Sequence, residues 1–347
     1  MVVRQTININ EPWEKILLAV VVLILLWFLR DIIAMLILSL TVAAAINPLV
    51  SFLTSKRWPR LGAVIFIYLA LLVVIGVTLF FLIPSIINQT QGIVEKLPEF
   101  YDRFLGLFRS VENLLERSRV SVAPEQFVSQ FNEIIGRWLS GILLSAFGFF
   151  GALSSLIIIL VVSFYLVVRE EGIEDFLRTI TPLRHEEYVL DLWRRVHRKI
   201  GRWFQGQLLL GVIVGSLTYF GLRIFNMPFA LALAVIAGVL ELVPFLGPIL
   251  AAIPAVILGF LQSPTLGFMI LLLYLFIQQL ENHAIVPALT RKLVGLSPVI
   301  VILALITGGS LGGIIGVLIA IPITVTIVEI LDDFAASKRN DRKSQEV

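Results

Sequence analysis

The longest uncharged segment of this chain sets the strongest limit on its fold. Residues 293–328, 36 in a row, contain no Asp, Glu, Lys or Arg. As one straight α-helix they would extend about 54 Å at 1.5 Å per residue. The hydrocarbon core of a bilayer is only about 30 Å thick. The segment must therefore bend or fold back, and we predict either a kinked span or a re-entrant hairpin.

The composition of the chain places such segments in a membrane. Of its 347 residues, 58% are hydrophobic and 15% are charged, and the mean hydropathy is +0.97. Soluble domains average about 45–50% apolar and about 25% charged residues. The net charge of +3 is too balanced for nucleic-acid binding. No cysteine, three isolated histidines and no P-loop motif mean that we expect no metal, no cofactor and no enzymatic activity.

The apolar runs predict an all-α polytopic membrane protein with about eight hydrophobic segments. Arg30 and Asp31 interrupt the first apolar stretch, and we expect a turn there between two spans, which makes residues 1–83 a three-helix region. A fourth span is expected within 138–168. The charge-free runs before the C-terminal half are Ile16–Leu29, Ile32–Ser55, Leu61–Ile83, Trp138–Val168 and Trp203–Leu222.

Two polar regions separate these spans. Residues 84–137 have apolar side chains at three- and four-residue spacing, which predicts an extracytoplasmic amphipathic helix. It could pack on a partner subunit of a homo-oligomer, lie on the bilayer, or pack on its own hairpin partner. Residues 169–202 are predicted to be a cytoplasmic helical region that ends in the basic run 193–203. That run suits contact with anionic lipid, a coupling helix, or a positive-inside anchor.

The short loop between the second and third predicted spans indicates the orientation. Lys56, Arg57 and Arg60 lie there without an acidic residue, which is typical of the cytoplasmic side of a membrane. We therefore expect both termini, including the tail 332–347, to be cytoplasmic. The expected location is the inner, or plasma, membrane.

The C-terminal region 203–331 contains two similar segments, 228–262 and 298–330. Each begins at a proline, contains a Gly-rich break, and continues to an Ala-Ile-Pro triplet. If each were a kinked span, the loop 287–298 would lie outside. If each were a re-entrant hairpin, that loop would lie inside, as its two basic residues prefer. The hairpins would then enter from opposite faces, an inverted arrangement common in transporters.

These residues resemble the autoinducer-2 exporter family, also called PerM-like permeases. The similar motifs are Glu241-x-x-Pro244-x-x-Gly247-Pro248, Gln278-Gln279-x-Glu281-Asn282, Gly295-Leu296-Ser297-Pro298, Gly308-Gly309-x-x-Gly312 with Gly316, and Ala320-Ile321-Pro322. The resemblance implies about eight hydrophobic segments and export of autoinducer-2, a small polar furanosyl signal of quorum sensing. Members have also been linked to cation/proton antiport.

Glu241 is the sharpest candidate for chemistry. A carboxylate at the centre of a bilayer costs about 2.5–3.5 kcal/mol or more, so it should face a cavity or a partner. The break formed by Pro244, Gly247 and Pro248 frees backbone carbonyls as ligands. Glu241 could thus exchange a proton for a solute or cation. The alternative is that it caps a half-helix or pairs with Arg291 or Lys292.

Two further polar groups are candidates for the same pathway. Gln278, Glu281 and Asn282 share one helix face at i, i+3 and i+4, and either complete the pathway or mark the membrane interface. Thr307 and Ser310 would be their counterparts in the second segment, or simple packing contacts. The predicted hinge and break positions are Pro298, Gly308, Gly309, Gly312 and Gly316.

The sequence thus predicts a secondary transporter that exports a small polar solute with ion or proton coupling. Its expected partners are that solute, a monovalent cation or proton, and the lipid bilayer. A Na⁺(Li⁺)/H⁺ antiporter would use the same residues. A membrane scaffold without transport activity would need neither the intramembrane Glu241 nor the broken helices.

Overall fold

A computed structural model of the chain describes residues 12–80, 151, 153–169, 171–290 and 296–345. In these ranges every regular element is helical. The predicted amphipathic region 84–137 and the basic pair at 291 and 292 lie outside the described residues. The helices, in chain order, are α1 Pro12–Ser55, α2 Arg60–Phe80, α3 Leu153–Val168, α4 Gly172–Ile180, α5 Glu186–Ile224, α6 Ala230–Leu240, α7 Leu246–Gln262, α8 Pro264–Leu280, α9 Val286–Thr290 and α10 Pro298–Gln345.

Five stretches of the described helices are long and apolar enough to cross a membrane, and α3 with α4 forms a sixth candidate that is bent by 82°. Their outer faces carry large apolar side chains in the open, such as Phe28 and Ile314, each 81% exposed. Such a surface is stable only against lipid. The five stretches are Ile24–Ser55, Arg60–Phe80, Glu186–Ile224, Pro264–Ala288 and Pro298–Arg339.

The first apolar stretch differs from the prediction. Instead of two spans joined at Arg30 and Asp31, α1 is one helix of 44 residues. Neither residue breaks a helix, and the two neutralise each other through a contact of 3.8 Å between Nε and Oδ1. The Arg30 guanidinium also lies 4.4 Å from the ring centre of Trp27, one turn earlier. The described part of the N-terminal region therefore contains two helices, α1 and α2, rather than three.

The polar region 169–202 is built from α4 and the first half of α5. Because α5 continues without interruption to Ile224, the basic run and the fifth predicted span are one helix. Several of its basic residues pair within the protein. Arg195 contacts Asp333 at 2.7 Å and Glu329 at 3.2 Å, while Lys199 also binds Glu329. This network attaches the start of α5 to the last part of α10.

The C-terminal half contains the two predicted broken hairpins. Helix α6 ends at Leu240, and after a five-residue break α7 runs back along it, so that Gly247 lies against the carbonyl of Leu240. In α10 the backbone reverses at Gly313, whose φ is +57°. Gly308 then meets the carbonyl of Gly316, although eight residues of straight helix would separate them by about 12 Å. The predicted fold class is confirmed.

The two hairpins pack against α5 at different levels along its length. Gly211 of α5 lies against the carbonyl of Gly238 in α6, where a Cβ atom would come within 2.5 Å. Ile200 and Trp203, nearer the start of α5, pack with the cluster around Leu305 and Ile321 of α10. Val243, at the tip of the first hairpin, joins the same cluster. The tip of one hairpin thus touches the arms of the other.

We predict that both ends of the α6–α7 hairpin lie on one side of the membrane. The chain has no native cysteine, so single substitutions Asn226→Cys and Ser263→Cys can be labelled with a membrane-impermeant maleimide. Both should react from the same face, and Lys56→Cys from the other. Reaction of Asn226→Cys and Ser263→Cys from opposite faces would show that α6 and α7 form one kinked span.

The contact between Gly308 and Gly316 should also be sensitive to one methyl group. We expect Gly308→Ala to destabilise the protein by about 1–3 kcal/mol, because the new Cβ collides with a backbone carbonyl that cannot move freely. Gly312→Ala is the matched control, since nothing lies within 4 Å of its Cβ position. Thermal unfolding in detergent measures the difference, and equal effects of the two changes would contradict the close hairpin.

Candidate functional site

The break between α6 and α7 places Glu241 in the protein interior. Glu241 follows the last residue of α6 and is only 1% exposed. The Nε2 atom of Gln207 on α5 donates a hydrogen bond to its backbone carbonyl. Gly211 lies one turn further along α5. A Cβ atom at this position would lie 3.6 Å from the Cβ of Glu241, so the absence of a side chain leaves room for Glu241. The amide of Gln207 and the missing side chain of Gly211 together fix the tip of the hairpin against α5.

Glu281 faces Glu241 from the end of α8. It begins a π-helical turn, Glu281–Ile285, and is 6% exposed. Gln278 donates from Nε2 to its Oε2 atom at 3.3 Å. The two carboxyl groups are close enough for the charge of each to act on the other. We refer to Glu241 and Glu281 as the carboxyl pair.

The carboxyl pair lacks a basic partner among the residues that the structure describes. The ion pairs found there involve other carboxylates, and the Oε2 atom of Glu241 has no hydrogen-bond partner. Two buried carboxylates at this separation repel each other strongly if both are ionised. Ionisation of both groups would therefore be costly without a compensating charge or proton. The predicted alternative partners, Arg291 and Lys292, lie outside the described residues.

The other predicted residues of the break surround Glu241. Gly247 is buried against the carbonyl of Leu240, and Pro244 and Pro248 are half-buried on either side of it. Phe245 has a φ of +64°, a backbone conformation rarely adopted by a residue with a side chain. The break is therefore a tight reversal held by packing.

Asn282 does not share the position of Glu281. The prediction placed Gln278, Glu281 and Asn282 on one helical face, but the π-helical turn begins at Glu281 and leaves Asn282 exposed. Asn282 directly follows Glu281, about 100° further round the helix, and lies on the exposed side of it. Of the predicted polar group, the structure brings Gln278 and Glu281 to Glu241.

Thr307 and Ser310 lie in a different part of the molecule. Both are exposed in the first arm of α10, and the Oγ atom of Ser310 donates to the carbonyl of Thr307 at 2.9 Å. Thr307, Gly308, Gly312 and Gly316 line a largely apolar cavity of about 460 Å³ between α10 and α1. Glu241 does not line this cavity, and Pro298 lies at the start of α10.

Three residues of the site region escaped the sequence reasoning. Gln207 holds the carbonyl of Glu241, and two buried hydroxyls, Thr218 and Tyr274, have no hydrogen-bond partner. The available signal was periodicity, because Gln207, Gly211 and Gly215 recur every four residues on one face of α5.

Comparison with known proteins assigns the chain to a family. A profile described as "AI-2E family transporter" matches residues 16–336. "AI-2 transport protein TqsA" of Escherichia coli (strain K12) is 25% identical over 96% of this chain and 96% of its own length. "Putative transport protein YueF" of Bacillus subtilis (strain 168) is 27% identical over 81% of this chain and 78% of its own. The resemblance seen in the sequence is confirmed, and this chain belongs to the AI-2E family of membrane transporters.

Proposed function

We propose that this transporter exports a small polar solute of the autoinducer-2 type, and that a proton held by the carboxyl pair couples the export to the proton gradient. The observation that carries the proposal is the close contact of Glu241 and Glu281 in an apolar interior without a basic partner among the described residues. Such a pair accepts and releases a proton more readily than it tolerates two negative charges. The solute class is taken from the name of one relative, "AI-2 transport protein TqsA".

The position of the pair suits coupling between proton binding and movement. Glu241 belongs to the tip of one hairpin, whereas Glu281 belongs to α8, so the pair bridges two elements. Losing the shared proton would leave two carboxylates that repel each other across this contact. The tip would then move away from α8, and Val243 would transmit the movement to the α10 cluster. Alternating access requires one repeat to move against another in this way.

We assign the remaining predicted residues to two parts of the transport route. Gln278 orients Glu281, and Pro244, Gly247 and Pro248 shape the reversal that exposes backbone carbonyls beside Glu241. Thr307, Ser310 and the glycines of the second hairpin, together with the cavity beside α1, would form the part of the route on the other side of the pair. Asn282 would contact solute or solvent at the membrane surface.

The proposed orientation places the α1–α2 connection in the cytoplasm. Lys56 and Arg57 are exposed there, and Arg60 donates to the carbonyl of Val167 at 2.8 Å and to Asn47 at 3.3 Å. These contacts place the ends of α1 and α3 beside the start of α2. With this connection inside, the N-terminal half of α5 and the end of α10 are cytoplasmic too. The membrane would be the bacterial inner membrane.

Proton-coupled export predicts a specific defect in the variant Glu241→Gln. The lumen of inside-out vesicles corresponds to the cell exterior. These vesicles should therefore accumulate labelled autoinducer-2 when their lumen is acidified. The amide of Gln cannot release a proton, so gradient-driven accumulation should fall to the level of vesicles without the protein. Glu281→Gln should have the same effect.

Glu187→Gln, an exposed carboxylate of α5, is the matched control and should leave accumulation unchanged. Gradient-driven accumulation by a correctly folded Glu241→Gln variant would refute the coupling role. If the native protein transports no autoinducer-2 but exchanges Na⁺ or Li⁺ for protons, the solute assignment is wrong and the antiporter function replaces it.

A further inference from the structure

Three buried oxygen atoms without a hydrogen-bond partner lie on helices that meet around α5. They are the Oγ1 of Thr218, the Oε2 of Glu241 and the hydroxyl of Tyr274. Thr218 is 0% exposed and Tyr274 is 8% exposed. Buried polar atoms of native proteins are almost always satisfied, and ordered water supplies the bond where the protein does not. We call Thr218 and Tyr274 the hydroxyl pair.

The helix register places the hydroxyl pair at one level of the bundle. Helices α5 and α8 run antiparallel, because Gly221 meets Leu273 whereas Val214 clusters with Ile277. Thr218 lies between Val214 and Gly221, so it stands at the level of the α8 turn from Leu273 to Ile277. Tyr274 belongs to that turn.

Helix α8 carries a polar row from this level to the carboxyl pair, and polar residues of α5 stand at both ends of it. On α8, Tyr274, Gln278 and Glu281 recur at i, i+4 and i+7, which is one helical face. On α5, Gln207, Gly211 and Thr218 share a face in the same way, and Gln207 already binds Glu241. The row on α8 covers about 10 Å of helix. The hydroxyl pair and the carboxyl pair are therefore the two ends of one buried polar strip.

The width of this strip limits what can occupy it. The α5 and α6 backbones touch where Gly211 meets Gly238, and a Cβ at Gly215 would lie 3.1 Å from the carbonyl of Ala234. A ring-shaped solute cannot pass between backbones in contact, whereas single water molecules can occupy gaps beside them. The occupant that fits the unpartnered oxygens is ordered water.

We propose that Thr218 and Tyr274 hold ordered water at the end of the strip away from Glu241, and that this water relays the proton of Glu241 along α5 and α8. This proposal rests on the proton coupling proposed above. When the Glu241 carboxylic acid releases its proton to a neighbouring water, that water passes one of its own protons to the next oxygen. The Tyr274 oxygen accepts a proton and passes its original one to a further water molecule, so the hydroxyl is regenerated and Glu241 becomes a carboxylate. Thr218 positions the water, whereas Tyr274 also carries the proton.

The experiment removes each hydroxyl without changing the shape of the side chain, in Tyr274→Phe and Thr218→Val. Tyr219→Phe is the control, a neighbouring half-buried tyrosine of α5. In proteoliposomes, we expect gradient-driven accumulation of autoinducer-2 to fall about tenfold in both variants. This is the change in rate expected when about one net hydrogen bond is lost. Exchange of labelled for unlabelled autoinducer-2 without a gradient should match that of the control, because it needs no net proton transfer. Coupled accumulation equal to that of Tyr219→Phe would overturn the relay.

Hydroxyl-radical footprinting by X-ray radiolysis tests the water itself and does not depend on transport. A side chain next to ordered water is oxidised even when buried, so Tyr274 should be modified in the native protein. Buried Tyr68, which bonds Ser163 directly at 2.9 Å, should be protected. Protection of Tyr274 as complete as that of Tyr68 would overturn the proposal. A modified Tyr274 together with full coupling in Glu241→Gln would instead refute the proposed function and leave the water in place.

Discussion

The contact between two buried carboxyl groups is the constraint on which the rest of the C-terminal half depends. Glu241 and Glu281 come from different elements, and the surrounding helices are apolar. Each carboxylate would cost about 2.5–3.5 kcal/mol or more in the membrane interior, and their mutual repulsion adds to this cost. We propose that a shared proton offsets this cost. The packing around them must therefore be close enough to hold this arrangement.

Glycine allows close backbone contact at three places, two of which adjoin Glu241. Gly211 meets Gly238 between α5 and α6, Gly247 meets Leu240 within the first hairpin, and Gly308 meets Gly316 within the second. At each contact a side chain would collide with a backbone carbonyl. Packing of small residues replaces the hydrophobic effect as the force that joins helices in lipid.

The hairpins could be predicted from the sequence because their signals are local. The 36 uncharged residues of 293–328 are too long for one span, and the glycines show where the helix can reverse. The continuity of α1 was harder to predict from the sequence. Arg30 and Asp31 resemble a loop, but the two charges compensate each other within one helix, and no glycine or proline forces a turn there.

Only those residues of the site that have a local sequence signal could be predicted. Glu241 and Glu281 were visible because carboxylates in apolar segments are rare. Asn282 is exposed although Glu281 beside it is buried, and the sequence does not show on which side of the buried face each of them lies. Gln207, Thr218 and Tyr274 obtain their roles from contacts, or missing contacts, between helices far apart in sequence.

The central claim is that the carboxyl pair holds one proton when the transporter is at rest. Infrared difference spectroscopy of the native protein in lipid at neutral pH tests it most directly. A protonated carboxyl group has a carbonyl stretch that a carboxylate lacks, and it shifts in deuterated water. The account predicts such a band in the native protein and its loss in both Glu241→Gln and Glu281→Gln. A native spectrum without the band, or a band that both variants retain, would contradict it.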